Sequence, residues 1–266
     1  MSEIGSHLLG RRPSTPDDRD FSIAQIKGAA PIELEFLKLL ASSRVAPATK
    51  AWATEVMAIL AGLIPGPPAP VLPEPSKSVN WPLNDPVLDQ GDTSRCGGFG
   101  GCQWGNVMPI EDHYKNSDGD ALYYESVSIG GFPGSEDGVE SRWVAKALQA
   151  RKRIDAYAFA QSTDEVSEWL RTRGPVMVGS DWTEGMMRPD PTTGYVHTSG
   201  KVLGGHFWVL CGHLTGEETE AYLGLNSWGD TWGLGGFFRI SVSEFGVLLK
   251  GIDTPGDAIV SPELAL

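Results

Sequence analysis

The feature that most limits the possible fold is a change in the pattern of apolar residues near Gly174. Beyond it, apolar residues occur in short runs that glycines interrupt: GPVMVGSD, KVLGGHFWVLCGH, EAYLGLNSWG and GGFFRISVSEF. Such runs are typical of β-strands, whereas the preceding segments 139–153 and 163–174 have the periodicity of amphipathic helices. Because helices come first and strands follow, the sequence predicts an α+β fold. We expect a helical lobe, a strand-rich lobe and a ligand cleft between them.

Six prolines in residues 65–75, PGPPAPVLPEP, predict a stiff extended linker. Upstream of it, residues 1–28 have the composition of a polar arm, and two helical patterns between Pro31 and Gly62 predict an α-hairpin. We therefore predict an N-terminal part at 1–75 that holds the arm, the hairpin and the linker. A compact domain is expected at 76–266.

The chain is acidic, with 34 Asp and Glu against 21 Lys and Arg and a formal net charge of −13. Such a surface repels nucleic-acid phosphates and anionic lipids, so we expect no nucleic acid and no membrane as partner. We see no signal peptide and no apolar stretch of the roughly 20 residues that a membrane span needs. The expected localisation is cytoplasmic, with export or virion packaging by a leaderless route as the alternative.

The segment 89–106, DQGDTSRCGGFGGCQWGN, holds two of the three cysteines. A phosphate loop is disfavoured because no Lys-Ser or Lys-Thr follows the glycines. A zinc site is disfavoured because Cys96 and Cys102 are six positions apart and no histidine is nearby. The odd cysteine count also argues against a disulfide framework. These observations favour a nucleophile at Cys96, where a helix is expected to begin, and we expect no metal and no cofactor.

A thiol attacks only as the thiolate, so its pKa must be lowered. A helix N-terminus and a histidine would supply this effect at Cys96. The positive charge of Arg95 beside it suggests acidic substrates. An acyl-transfer enzyme also needs donors for the oxyanion, and the main-chain N–H of Cys96 and the side-chain amide of Gln90 are the candidates.

Three motifs in chain order resemble those of the papain-like cysteine peptidases. They are Gln90-Gly91 followed by Cys96, the run GGHFWVLCGH around the histidine, and NSWGDTWGLGGFFRI around the asparagine. His206 follows Cys96 by 110 positions and Asn226 follows His206 by 20. The first spacing is shorter than in the best-known members, as in microbial relatives with trimmed loops. The resemblance covers roughly residues 76–245 and implies a two-lobed papain-like fold with the N-terminal α-hairpin as an extension.

The resemblance also implies roles for the residues that match. Cys96 would be the nucleophile, and His206 would be the general base and later the general acid. Asn226 would accept a hydrogen bond from the imidazole and orient the ring. Gln90 would donate to the oxyanion. His197, a rival base, lacks a following apolar strand.

Three further residues are implied in substrate binding. Gly138 would lie beside the substrate backbone, and Gly205 would present a carbonyl to the substrate. Trp228 would also shield the His–Asn hydrogen bond from water. The chain departs from the family pattern at Thr93, which replaces a cysteine that usually forms a disulfide, and this difference fits a reducing compartment.

The remaining residues of these motifs have structural interpretations. Glycine in a helix costs about 1 kcal/mol relative to alanine, so the glycines after Cys96 need a reason. Our hypothesis is that they let the strands approach a central helix. We expect Cys102 and Cys211 to be small buried residues and His213 to be exposed.

The sequence therefore predicts a cysteine peptidase whose partners are protein or peptide substrates. One alternative is another thiol acyl-transfer hydrolase, such as a peptidoglycan amidase or a deconjugating enzyme. A second is a non-catalytic binding module on the same fold. Residues 1–75 are expected to dock on the cleft, either as a pro-segment that is cleaved off or as a lid that stays.

Overall fold

The computed structural model of the chain describes residues 9–15, 21–22, 78–216 and 219–261. Contacts between residues divide the chain into two units, Met1–Asp20 with Pro73–Leu266, and Phe21–Leu72. The predicted α-hairpin and Pro-rich linker lie outside the described residues. They and the boundary at residue 76 therefore stay predictions.

Five α-helices are found in the described part of the chain. They are α1 (Cys96–Asn106), α2 (Asn116–Ile129), α3 (Ser141–Ala150), α4 (Thr163–Thr172) and α5 (Val242–Lys250). The helices predicted at 139–153 and 163–174 are confirmed as α3 and α4, with shorter ends. Ser162 caps α4, because its hydroxyl accepts the N–H of Glu165 at 3.2 Å. None of the helices in the described part of the chain has the length and apolar character needed to cross a bilayer.

In the described part of the unit that holds Pro73–Leu266, seven strands form an antiparallel sheet in the order β5-β10-β6-β7-β8-β9, and β3 pairs with β7. Their bounds are β3 Val79–Asn80, β5 Ala158–Phe159, β6 Val176–Thr183, β7 Val202–Leu214, β8 Ala221–Leu225, β9 Phe237–Ser241 and β10 Asp257–Val260. The run GGFFRISVSEF is only partly strand, which corrects the expectation. The hydroxyl of Ser241 accepts the N–H of Glu244 at 3.2 Å and caps α5.

A second, two-stranded sheet involves the N-terminal arm. Strand β1 (Arg11–Arg12) pairs in parallel with β4 (Val139–Glu140), immediately before α3. A further two-residue strand, β2 (Phe21–Ser22), belongs to the other unit of the chain. The arm residues next to Arg11 therefore lie against the compact part of the molecule.

Helix α1 is central, and all eleven of its residues are buried. A β-carbon at Gly98 would overlap the carbonyl oxygen of Gly119 in α2. One at Gly100 would lie 2.5 Å from Cδ1 of Phe207 in β7. The structure thus supports the hypothesis that the glycines permit close approach, since larger residues would push α1 away from α2 and β7.

Candidate active site

Cys96 is the first residue of α1 and is completely buried. The main chains of Gly10, Phe207 and Gly97 lie close enough to the sulfur to favour the thiolate. Burial raises the pKa of the Cys96 thiol to about 11, although those main-chain groups and the charge of Arg11 act in the opposite direction. In this conformation the thiol is therefore protonated at neutral pH.

His206 lies in β7, and Asn226 follows the end of β8. Nε2 of His206 is 2.8 Å from Oδ1 of Asn226. The main-chain N–H of Ser227 donates to the same oxygen at 2.8 Å, which identifies that atom as the amide oxygen rather than the nitrogen. An amide oxygen only accepts, so Nε2 carries the hydrogen and Nδ1 is the basic nitrogen of the neutral ring.

Strand β7 brings the sulfur and the histidine into one region. Phe207, whose main chain helps to lower the pKa of the Cys96 thiol, directly follows His206. The ring of Phe207 also packs against Gly100, one turn further along α1. Two residues separated by 110 positions are thus held on packed elements, α1 and β7.

Gln90 connects the cysteine segment to the asparagine segment. Its main-chain N–H donates to the carbonyl of Ser227 at 2.9 Å, and its Oε1 accepts the hydroxyl of Ser227 at 2.9 Å. Its Nε2 donates to the carbonyl of Thr93 at 2.7 Å. The side-chain amide is therefore fixed with its nitrogen toward the residues that precede Cys96.

Aromatic rings enclose the imidazole. The ring centroids of Trp228 and Trp182 both lie 4.8 Å from that of His206, Trp228 tilted and Trp182 edge-on. Trp228 is 2% exposed and Trp182 is completely buried. Our sequence analysis missed Trp182, which is in β6. The proximity of Trp182 to His206 depends on the pairing of β6 with β7, and no local sequence motif predicts that pairing.

Gly138 and Gly205 lie on opposite sides of the N-terminal arm. The main-chain N–H of Val139, next to Gly138, donates to the carbonyl of Gly10 at 2.7 Å. A β-carbon at Gly138 would overlap that carbonyl, and one at Gly205 would overlap the carbonyl of Arg11. Gly138 also has a φ of 89°, a conformation that favours glycine. Both residues therefore border the same backbone groove, which residues 9–12 occupy.

Other residues singled out from the sequence lie elsewhere. His197 is largely exposed beside Glu244, at 3.4 Å. The expectation that His213 is exposed is wrong, because its ring is buried near the end of β7 and pairs with Glu220 at 2.6 Å. Cys102 and Cys211 are buried free thiols, as expected.

The environment of Arg95 removes the reason for expecting acidic substrates. Its guanidinium pairs with Asp120 at 2.7 Å and with Glu136 at 2.8 Å. Two carboxylates therefore offset its charge. Among the described residues, no group of three or more His, Cys, Asp or Glu side chains is arranged to hold a metal ion.

Comparisons with known proteins match the same segments. The sequence profile described as Papain family cysteine protease matches residues 91–248. Cathepsin B-like cysteine proteinase 6 of Caenorhabditis elegans is 29% identical over 158 residues, 59% of this chain and 38% of that protein. Cathepsin B-like cysteine proteinase 5 of the same organism is 36% identical over 95 residues, 35% of this chain and 27% of that protein. The chain thus spans well under half of the length of these relatives.

Among solved structures, the crystal structure of xylellain, a cysteine protease from Xylella fastidiosa, has a TM-score of 0.62 with this chain. The two are 15% identical, and the match covers 98% of each chain. At that sequence identity, the similarity is evidence for the fold alone.

Proposed function

The chain belongs to the papain family of cysteine proteases, and on that basis we propose that it hydrolyses peptide bonds through the thiolate of Cys96. Its papain-like α+β fold is the one predicted from the sequence. The observation that carries the proposal is the packing of α1, which begins at Cys96, against β7, which carries the His206 that Asn226 holds.

The proposed reaction uses Nδ1 of His206 as the base, because Nε2 is bonded to Asn226. The thiol proton moves to Nδ1, and the sulfur attacks the peptide carbonyl carbon. When the tetrahedral intermediate collapses, the C–N bond breaks and His206 returns the proton to the leaving amine. His206 then deprotonates a water that attacks the thioester. The C–S bond breaks, a carboxylic acid leaves, and the proton on His206 returns to the Cys96 sulfur.

The oxyanion of each tetrahedral intermediate would accept two N–H groups. One is the main-chain N–H of Cys96, at the first residue of α1, where helix N–H groups have no intrahelical partner. The other would come from Nε2 of Gln90, a donor that lies toward the residues preceding Cys96. The bonds from Ser227 to Gln90 support this role because they fix the amide before substrate arrives.

We propose that residues 9–12, hereafter the strap, block the substrate groove in the described conformation. They lie between Gly138 and Gly205, the residues implied in substrate binding, and Gly10 lies against the carbonyl of Ser94, two residues before the nucleophile. Mapping the N-terminus of the purified protein after incubation separates the two roles proposed for residues 1–75. A new N-terminus near the linker prolines indicates a pro-segment, and a persistent intact chain indicates a lid.

The proposed activity is tested by digesting a peptide library with the Arg11→Ala chain, in which the strap is weakened. We expect the Arg11→Ala chain to cleave peptides and to lose this activity when Cys96→Ala is added. Adding Cys102→Ala, a control on the same helix, should leave cleavage intact. Cleavage that persists without Cys96 would refute the proposal. Hydrolysis of peptidoglycan or of a protein conjugate, but not of peptides, would indicate the other thiol hydrolases. A thiol probe that never labels Cys96 would indicate a binding module.

A further inference from the structure

The side chain of Arg11 is completely buried, although it belongs to a polar arm. Its Nη2 donates to Oδ2 of Asp257 at 2.9 Å and to the carbonyl of Pro255 at 2.8 Å. Its Nη1 donates to Oγ1 of Thr254 at 3.2 Å. A carboxylate and two neutral oxygens therefore face the guanidinium, and this arrangement suits the forked donors of arginine.

Thr254, Pro255 and Asp257 line a pocket that holds the Arg11 side chain. Part of this lining is held in place by hydrogen bonds that do not involve Arg11. The buried carboxylate of Asp181 in β6 accepts the main-chain N–H groups of residues 252–254 at 3.0, 2.7 and 2.9 Å. It also accepts the hydroxyl of Thr254 at 2.7 Å. Because that hydroxyl donates to Asp181, its oxygen is left to accept from the pocket's occupant. The polar wall is thus formed in advance of binding.

Gly179 leaves room for the part of the Arg11 side chain that leads to the guanidinium. Gly179 in β6 is paired with Asp257 in β10, so it lies beside the carboxylate. A β-carbon at Gly179 would overlap Oγ of Ser141, and it would also lie 3.0 Å from Nε of Arg11 and 3.3 Å from its Cγ. Any other residue at this position would narrow the entrance.

The main chain that carries Arg11 runs across the proposed nucleophile. The carbonyl of Gly10 accepts the N–H of Val139, Gly10 lies against the carbonyl of Ser94, two residues before Cys96, and Arg11 is the next residue. The backbone groove therefore directs the side chain of residue 11, which follows Gly10, into the pocket. A peptide substrate that takes the same groove would place one of its own side chains there.

We propose that this pocket selects an arginine side chain of the peptide substrate, that Asp257 determines the selection, and that Arg11 fills the pocket as an internal mimic. The proposal rests on the peptidase function proposed above, and it names the substrate class for that site. It replaces the acidic preference expected from Arg95, whose charge is already paired.

The first test uses the full chain with Arg11→Ala, which empties the pocket. In a fluorogenic peptide library varied one position at a time, we expect one position to favour arginine over norleucine by about tenfold or more in kcat/KM. Adding Asp257→Asn should abolish that preference by lowering kcat/KM for the arginine peptide toward the value for the norleucine peptide. Adding Asp253→Asn, which removes an exposed carboxylate from the same loop, should leave the preference unchanged. An apolar preference at every position, or an arginine preference that survives Asp257→Asn, would overturn the assignment while peptidase activity stands.

A second test does not depend on turnover, so it separates failure of the pocket from failure of the peptidase function. Ethylguanidinium should raise the Tm of the Arg11→Ala chain by refilling the pocket, whereas the neutral isostere ethylurea should not. The rise should disappear when Asp257→Asn is added and persist with Asp253→Asn. Equal effects of the two compounds, or a rise that is indifferent to Asp257, would refute a guanidinium pocket whether or not peptides are cleaved.

Discussion

Nε2 of His206 donates a hydrogen bond to Oδ1 of Asn226 across 2.8 Å, and both residues are completely buried. The rings of Trp228 and Trp182 lie against the imidazole, each at 4.8 Å between centroids. Water therefore competes poorly for this bond, and the imidazole is held in one orientation. The consequence of losing the bond is a loss of orientation rather than a loss of the base.

We expect Asn226→Ala to lower kcat/KM for a fluorogenic peptide by about 10- to 100-fold, the effect of roughly 1.5–3 kcal/mol of lost positioning. His206→Ala should cost more, about 10²- to 10⁴-fold, because it removes the base itself. Both are measured in the Arg11→Ala chain, with Asn84→Ala as the control because Asn84 bonds Glu111 at the surface. A folded Asn226→Ala protein with undiminished activity would show that the asparagine does not position the imidazole.

We expect Gly100→Ala to destabilise the protein and Gly100→Leu to prevent folding, because any β-carbon there would meet the Phe207 ring at 2.5 Å. Gly246 in α5 is the matched control, since a β-carbon there would lie 3.4 Å from Thr163, an ordinary contact. Gly246→Ala should stabilise the fold by up to about 1 kcal/mol through helix propensity. Urea unfolding followed by circular dichroism compares them. Similar changes in the free energy of unfolding for Gly100→Ala and Gly246→Ala would mean that α1 and β7 can move apart without cost.

We expect Asp181 to make stability depend on acid pH. Burial raises the pKa of Asp181, but hydrogen bonds from residues 252–254 outweigh it and lower the pKa below the ordinary 3.8. A carboxyl whose pKa is lowered by folding stabilises the fold above its unfolded pKa, and that contribution is lost as the pH falls through the folded value.

Wild type should therefore lose unfolding free energy more steeply than Asp181→Asn below about pH 4. At pH 7 the variant should be less stable by about 1–3 kcal/mol, because buried N–H groups lose a charged acceptor. Urea titrations between pH 7 and pH 3 measure both quantities. Parallel stability curves for the two proteins would contradict this role for the carboxylate.

The residues with strong local signals were predictable from the sequence. Cys96 follows a polar segment and opens a glycine-rich helix, and Asn226 belongs to an unusual run of Trp and Gly. The structure brings their segments together with that of His206, although the catalytic roles stay predictions. The helices α3 and α4 were also predictable, since each carries a regular apolar stripe.

Features that depend on contacts between distant segments were not predictable. Trp182 reaches the imidazole only through the pairing of β6 with β7. Arg11 looked like one charge in a polar arm, and its partner Asp257 is 246 positions away. His213 was expected at an exposed turn, but β7 continues to Leu214 and buries it.

The most direct test of the account is the pH profile of Cys96 alkylation by iodoacetamide, followed by mass spectrometry. In the Arg11→Ala chain, we expect the weakened strap to expose the sulfur and Cys96 to react below pH 7 as a thiolate paired with His206. Adding His206→Ala should move the profile up, toward the pKa near 8.5 of an ordinary cysteine. The buried Cys102 and Cys211 should stay unlabelled in both proteins. Identical profiles with and without the histidine would contradict the proposed pairing of sulfur and imidazole.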